Sequence, residues 1–215
     1  MLTLYTYWRS SAAYRVRIAF GLKGVEYEPR FVHLLREGGE QYSPEYRALN
    51  PQSRVPTLVH DGVTITQSLA IIEYLDEIHP NPPLLPLDEA GRARVRSLAQ
   101  VIVSDVQPLQ NTSVTRYLRG PLGLTDEQLA AWLAEWIGRG MGALEARLAR
   151  DRETGEFCHG PTPTMADCCL VPQCYSARRF GVDPKQFPTI TRIEAACAAL
   201  PGFAGAAPEQ QPDAE

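Results

Sequence analysis

The stretch Tyr7-Trp8-Arg9-Ser10-Ser11 sets two hydroxyls and a guanidinium between a strand-like run and a helical one. A hydroxyl at a helix N-terminus ordinarily caps the first turn. The same place favours an anion, because first-turn N–H groups lack partners and the helix dipole adds positive potential. A thiolate there would gain from both, and from a serine hydroxyl donating to it. Gln67-Ser68 opens a second helix and suits either a plain cap or a carboxylate. Val55-Pro56 precedes a short strand. A proline there serves as a strand-entry residue, and the Val55 backbone could pair with an extended peptide by strand addition. Arg9 and the distant Arg178-Arg179 offer planar guanidinia that match carboxylates. For any single arginine, solvated surface is the commoner role.

Short elements must position these groups. Leu2–Thr6 alternates as a strand does. From Ser10 to Lys23, residues Ala12, Ala13, Val16, Ala19 and Phe20 share one helix face, and Gly24 ends the run. Tyr27–Leu34 reads as a second strand, and Ser43-Pro44 opens a short helix. Arg54–Val59 and Val63–Thr66 read as strands joined at Asp61-Gly62. Gln67–His79 is helical, with Ile71, Ile72, Leu75 and Ile78 on one face. The order is βαβαββα.

Past the proline cluster Pro80-Asn-Pro-Pro83, only helical periodicity remains. Thr125-Asp-Glu-Gln128 has the capping-box pattern ahead of a long helix, and Thr164-Met-Ala-Asp167 resembles it with a shorter acid. Residues 188–200 form a last helix, and Pro208–Glu215 is expected to fray. The expected fold class is α/β plus all-α. An N-terminal thioredoxin-like domain spans 1–80, a linker 81–87, and an all-helical domain 88–215.

Composition narrows the function. The 215 residues are 44% hydrophobic and 21% charged, with a formal net charge of -4. Such a balance supplies no general field for nucleic acid. No run is apolar enough to span a membrane, and residues 1–9 lack the features of a signal peptide. Lysine occurs only at Lys23 and Lys185, a bias that genomic composition explains as readily as function does. The five cysteines, Cys158, Cys168, Cys169, Cys174 and Cys197, contain no C-x-x-C pair and read as buried reduced thiols of a cytoplasmic protein. His33, His60, His79 and His159 have no metal spacing, and the stripes of Trp132 and Trp136 suit a core or an interface.

Taken together, Tyr7-Trp8-Arg9-Ser10-Ser11 and Tyr14-Arg15-Val16-Arg17-Ile18-Ala19 closely resemble the zeta class of glutathione transferases. The resemblance continues through Ala48-Leu-Asn-Pro51, Val55-Pro-Thr-Leu58 and Gln67–Leu75. It persists at Gln107-Pro-Leu-Gln-Asn111, Thr164–Asp167 and Leu170–Gln173, so it covers about residues 2–205. The R-S-S-x-x-x-R-V-R-I-A block and Q-P-L-Q-N are its diagnostic parts, whereas Gln67-Ser68 and the T-x-x-D box recur across many glutathione transferases.

The resemblance implies a glutathione transferase fold, a homodimer, and maleylacetoacetate isomerase activity with glutathione as cofactor. The glutathione thiolate would add to the cis alkene, the new single bond would rotate, and elimination would yield fumarylacetoacetate. By position, Ser10 would hold the thiolate with Ser11 assisting. Val55 would pair with the cysteinyl backbone, and Gln67 and Ser68 would bind the γ-glutamyl end. Gln110 and Asn111 would lie near the thiol or the substrate. Arg9 and Arg179 would take the carboxylates of a small dicarboxylate and stabilise its enolate. This chain has Ser10-Ser11-Ala12 where zeta enzymes commonly read Ser-Ser-Cys. That keeps a sister reading open, the glutathione-dependent maleylpyruvate isomerases, which also manage without that cysteine. Gln107-Pro108 looks more like the maleylacetoacetate enzymes. A general transferase acting on small α-halo acids and a non-enzymatic glutathione-binding module are the readings from other classes.

Overall fold

The computed structural model describes all residues from 1 to 215. The chain divides into two compact units, Met1–Leu84 with Ala198–Glu215, and Leu85–Cys197. The first unit runs β1 (Leu2–Thr6), α1 (Ser11–Lys23), β2 (Glu28–Phe31), α2 (Pro44–Leu49), β3 (Thr57–His60), β4 (Val63–Thr66) and α3 (Ser68–Ile78). This is the expected βαβαββα order. Its four-stranded sheet is ordered β2-β1-β3-β4. β1 and β2 are parallel, while β3 is antiparallel to both β1 and β4. The hairpin between β3 and β4 turns on Asp61 and Gly62, both at positive φ (48° and 82°), as a tight two-residue turn requires.

The expected strand over Arg54–Val59 starts only at Thr57. Pro56 has no N–H to give a ladder, and the Arg54 carbonyl is instead taken by Tyr46 Oη (2.6 Å) and Asn50 Nδ2 (2.9 Å). Tyr27–Leu34 likewise contracts to Glu28–Phe31 at the sheet edge.

Helix α1 is more deeply set than a single apolar stripe implies. Every residue from Ala13 to Phe20 is buried, Arg15 and Arg17 among them. α3 contacts one side of it, and α10 (Pro201–Ala204) contacts another. The α10 contact is backbone on backbone. A Cβ on Gly21 would lie 2.7 Å from the Gly202 carbonyl oxygen, so neither glycine has room for a side chain. Gly24 ends α1 in the left-handed region at φ 63°, as expected of a C′ glycine.

The second unit is all-helical. It contains α4 (Glu89–Gln100), α5 (Gln107–Gln110), α6 (Thr112–Arg119), α7 (Asp126–Arg150), α8 (Met165–Arg179) and α9 (Pro188–Ala198), whose last residue groups with the first unit. A π-helical turn, Val101–Val106, joins α4 to α5. Both capping boxes form, with Thr125 and Gln128 opening α7 and Thr164 and Asp167 opening α8. Asp167 is fully buried and also accepts from the Cys158 N–H at 2.8 Å. Burial raises its pKa, and the bonds from Cys158 and Thr164 oppose that shift.

The last residues correct an expectation. Pro208–Glu215 is not frayed and groups, with α10, in the first unit. Gln211 Nε2 donates to the Gly205 and Ala207 carbonyls, Asp213 accepts from the Trp8 N–H, and Glu215 pairs with His33 and Arg36. Sequence composition suggested fraying because no apolar run marks this tail. Its order comes from polar contacts to distant residues.

Lys23 anchors the end of the sheet domain. Its side chain is fully buried and its ammonium donates to Asp76 and to the His79 and Pro82 carbonyls, while Asp76 also accepts from the Leu84 N–H. Removing one partner of such a pair strands the other charge. We expect Lys23→Met to cost about 3–5 kcal/mol in denaturant unfolding, with Lys23→Met/Asp76→Leu recovering much of the loss. A single-variant cost below about 1 kcal/mol would contradict this role.

Candidate active site

The strand register brings the segments that carry Ser10, Ser11, Val55, Gln67 and Ser68 to one end of the sheet. Tyr5 near the end of β1 pairs with Thr57 at the start of β3, and Thr57 pairs with Thr66 at the end of β4. The loop Tyr7–Ser10 leaves this end, Val55-Pro56 enters it, and Gln67-Ser68 leaves it. The N-termini of α1 and α3 therefore start from the same edge of the fold. Tyr7, Trp8, Val32, Tyr46 and Val55 form a buried cluster beneath it.

Ser10 is the N-cap of α1, and its Oγ accepts from the Ala13 N–H at 3.2 Å. This is the ordinary capping role, but it uses only a lone pair of the hydroxyl. The Ser10 O–H remains able to donate outward. Helix geometry also leaves the Ser11 and Ala12 N–H groups without intrahelical acceptors. Ser10, Ser11 and Ala12 are half-buried, so the donors border solvent. Arg9, also half-buried, lays its guanidinium over the Trp8 ring at 4.9 Å from the centroid.

Val55 enters the site through a cis peptide bond to Pro56. Sequence reasoning missed what holds this segment. Tyr46 Oη and Asn50 Nδ2 each reach both the Arg54 carbonyl and Thr57 Oγ1. Burial pushes the Tyr46 phenol above its ordinary range, keeping it a neutral donor.

At the second helix start, Gln67 adopts φ 72° and ψ 120°. A non-glycine residue there stores roughly 1–3 kcal/mol of strain, which marks the position. Its exposed amide donates to Gln52. Ser68 departs from expectation, since it is buried and its Oγ accepts from Arg15 Nη1 at 3.1 Å. The Ser68 O–H is still a donor, now backed by a buried guanidinium as well as the α3 dipole. Arg15 thus adds buried positive charge at the helix start where Gln67 and Ser68 were expected to bind.

Arg17 was also missed. Its guanidinium donates to Trp8 O (2.8 Å), Tyr7 O (3.2 Å), Thr6 Oγ1 (3.2 Å) and Ala206 O (3.2 Å). Desolvation lowers its pKa to about 10, which leaves it charged at neutral pH. A signal was available, because arginines at positions 15 and 17 of an otherwise apolar helix cannot both lie on one solvent face.

The expected residues of the helical unit are placed less simply. Gln110 is buried and exchanges amide hydrogen bonds with Gln173 at 2.8 and 3.3 Å, so its amide is engaged internally. Asn111 is the N-cap of α6, its Oδ1 accepting from the N–H and hydroxyl of Ser113. Arg179 is exposed at the end of α8, its guanidinium 5.1 Å from the Phe180 ring centroid, while neighbouring Arg178 pairs with Glu194.

Residues 1–77 match the glutathione S-transferase N-terminal domain, and residues 126–204 match the C-terminal domain. The chain belongs to the glutathione S-transferase family. It is 49% identical to a Vibrio cholerae protein named "Probable maleylacetoacetate isomerase", covering 99% of this chain and 98% of that one. A holo structure of maleylpyruvate isomerase, described as a bacterial zeta-class glutathione S-transferase, superposes with a TM-score of 0.96 at 46% identity, covering 99% of this chain and 100% of that one. Maleylacetoacetate isomerase from Methylobacterium extorquens AM1, solved with malonate and glutathione, gives a TM-score of 0.95 at 42% identity, with 99% of each chain covered. The zeta-class resemblance and the two-part fold read from the sequence hold. No helix is long and apolar enough to cross a membrane.

All five cysteines are buried thiols outside any disulfide. Burial pushes the Cys158, Cys168, Cys174 and Cys197 thiols far above their ordinary range, so they carry no thiolate at neutral pH. We therefore expect the native protein to resist a thiol-modifying reagent and to expose all of its thiols only on unfolding. Rapid modification of the folded protein would contradict this.

Proposed function

We propose that this chain is a glutathione-dependent cis–trans isomerase converting maleylacetoacetate to fumarylacetoacetate in tyrosine and phenylalanine catabolism. The observation that carries the reading is that α1 and α3 start at the sheet end reached by Val55, each with a serine hydroxyl that is able to donate, Ser10 and Ser68. Full-length similarity to isomerases of this class supports it. Bound glutathione would supply the thiolate that adds to the cis double bond and is released unchanged after rotation.

The donor set fits that ligand. Ser10 O–H, with the first-turn N–H groups of α1, suits a thiolate, and Ser11 extends the same cradle. The Val55 backbone, lying ahead of β3, suits the cysteinyl backbone by strand-like pairing. Gln67 and Ser68, with Arg15 behind them, suit the γ-glutamyl carboxylate. Arg9 and Arg179 are assigned to the substrate carboxylates, where a guanidinium also stabilises the developing enolate. Gln110 and Asn111 are kept as candidate ligand contacts, Asn111 through its Nδ2 donors, which its capping oxygen leaves available, and Gln110 through what its pairing with Gln173 leaves over. The family resemblance extends this proposal to a cytoplasmic homodimer.

A second reading is maleylpyruvate isomerase. It is favoured by Ala12, which stands where the zeta cysteine would be, and by the 0.96 TM-score to such an enzyme.

Parallel assays with maleylacetoacetate and maleylpyruvate, each with and without glutathione, decide between them through the kcat/KM ratio. We expect strictly glutathione-dependent turnover, favouring maleylacetoacetate. Turnover of neither substrate would refute isomerase activity and leave the halo-acid transferase or a binding role. Ser10→Ala is expected to lower kcat about a hundredfold by removing a donor to the developing charge. Arg9→Ala should raise KM for the dicarboxylate but not for a neutral aromatic electrophile.

A further inference from the structure

Trp8, the residue before Arg9 and Ser10, has both of its main-chain hydrogen-bonding groups tied to distant parts of the fold. Its carbonyl accepts from Arg17 Nη2 at 2.8 Å. Its N–H donates to Asp213 Oδ2 at 3.0 Å. The negative charge of Asp213 acts on the Arg17 guanidinium and opposes part of its desolvation. The tail carrying Asp213 is itself held. Pro208–Gln210 forms a 3-10 turn, the Gln211 amide ties back to Gly205 and Ala207, and Glu215 reaches His33 Nε2 (3.1 Å) and Arg36 Nη2 (3.0 Å).

We propose that Asp213 is a positioning residue for the glutathione site: through the Trp8 peptide it sets the placement of Arg9 and Ser10. The inference rests on the function proposed above. Trp8 is 7% exposed and its ring carries the Arg9 guanidinium, so a rotation of this peptide would be passed to both neighbours. The Ser10 hydroxyl works only if its donor direction meets the thiolate, and errors near 1 Å in such placements can cost about a hundredfold in rate. The Arg36–Glu215 pair is largely solvated and the Glu215 end of the His33 contact is exposed, so these pairs contribute little. Asp213 carries the effect. Stability is a separate matter, because Asp213 Oδ1 and Trp8 Nε1 are buried without hydrogen-bond partners, which offsets what the contact contributes to the fold.

The test compares the full-length chain with its Asp213→Ala, Asp213→Asn and Glu215→Gln variants. Asparagine can still accept from the Trp8 N–H through its amide oxygen, whereas alanine cannot. We expect Asp213→Ala to raise KM for glutathione and lower kcat/KM by about tenfold to a hundredfold. At saturating glutathione, the pH profile of kcat/KM for the dicarboxylate should shift upward as the bound thiol pKa rises, with little change in melting temperature. Asp213→Asn should restore most of the loss, and Glu215→Gln should resemble the parent. The proposal is overturned if Asp213→Ala keeps the parent KM and pH profile. It is also overturned if activity falls only in step with melting temperature and asparagine does not rescue it. Calorimetric titration with glutathione separates the two readings. If the parent binds glutathione but isomerises nothing, the isomerase reading fails, while weaker binding by Asp213→Ala still supports the positioning role. Equal affinity of parent and variant refutes that role.

Discussion

A buried guanidinium organises the first unit. Arg17 sits inside α1, where an arginine would ordinarily be excluded, and the fold offsets its desolvation with carbonyls at the end of β1 and at Ala206. The Tyr7 and Trp8 carbonyls belong to the turn that must leave the sheet and start α1. A hydrophobic residue at position 17 could fill the volume, but it could not bind carbonyls from separate segments at once. The turn thereby becomes a defined conformation rather than a mobile loop, and the helix that follows presents its donors in a set direction.

The same logic recurs around the site with different chemistry. Arg15 backs Ser68 at the start of α3. Tyr46 and Asn50 hold the Arg54 carbonyl ahead of Val55. The segments before α1 and before β3 are irregular backbone, and each is supported by a buried polar side chain from a helix, Arg17 of α1 and Tyr46 of α2. Catalytic geometry placed on loops needs such support, because donors must point at the developing charge before it forms. Cysteine takes no part. The chain concentrates its thiols inside the helical unit, where burial keeps Cys158, Cys168, Cys174 and Cys197 protonated.

For a cis–trans isomerisation through a thiolate adduct, the protein needs to lower the cost of a sulfur anion and then of an enolate, without holding the product. Hydroxyls, first-turn N–H groups and guanidinia meet that need without being chemically altered. Ala12 is compatible with this division of labour, since a protein sulfur at that position is not required when the nucleophile comes from the cofactor.

Much of the protein was legible from residue order. The βαβαββα run, the Gly24 and Asp61-Gly62 punctuation, both capping boxes and the change to helices after residue 83 follow from local periodicity and short-range chemistry. The serine-rich turn and the Gln67-Ser68 start were visible for the same reason, because a helix terminus creates its own donors. Contacts between residues far apart in the chain were not. The reciprocal pair of Gln110 and Gln173, Ser68 accepting from Arg15, and Trp8 donating to Asp213 span 63, 53 and 205 positions. Local sequence determined which groups could act. Tertiary structure decided which of them were already engaged and which buried arginines and carboxylate hold the rest in place, because a polar side chain's partner depends on which segments folding brings within hydrogen-bond reach.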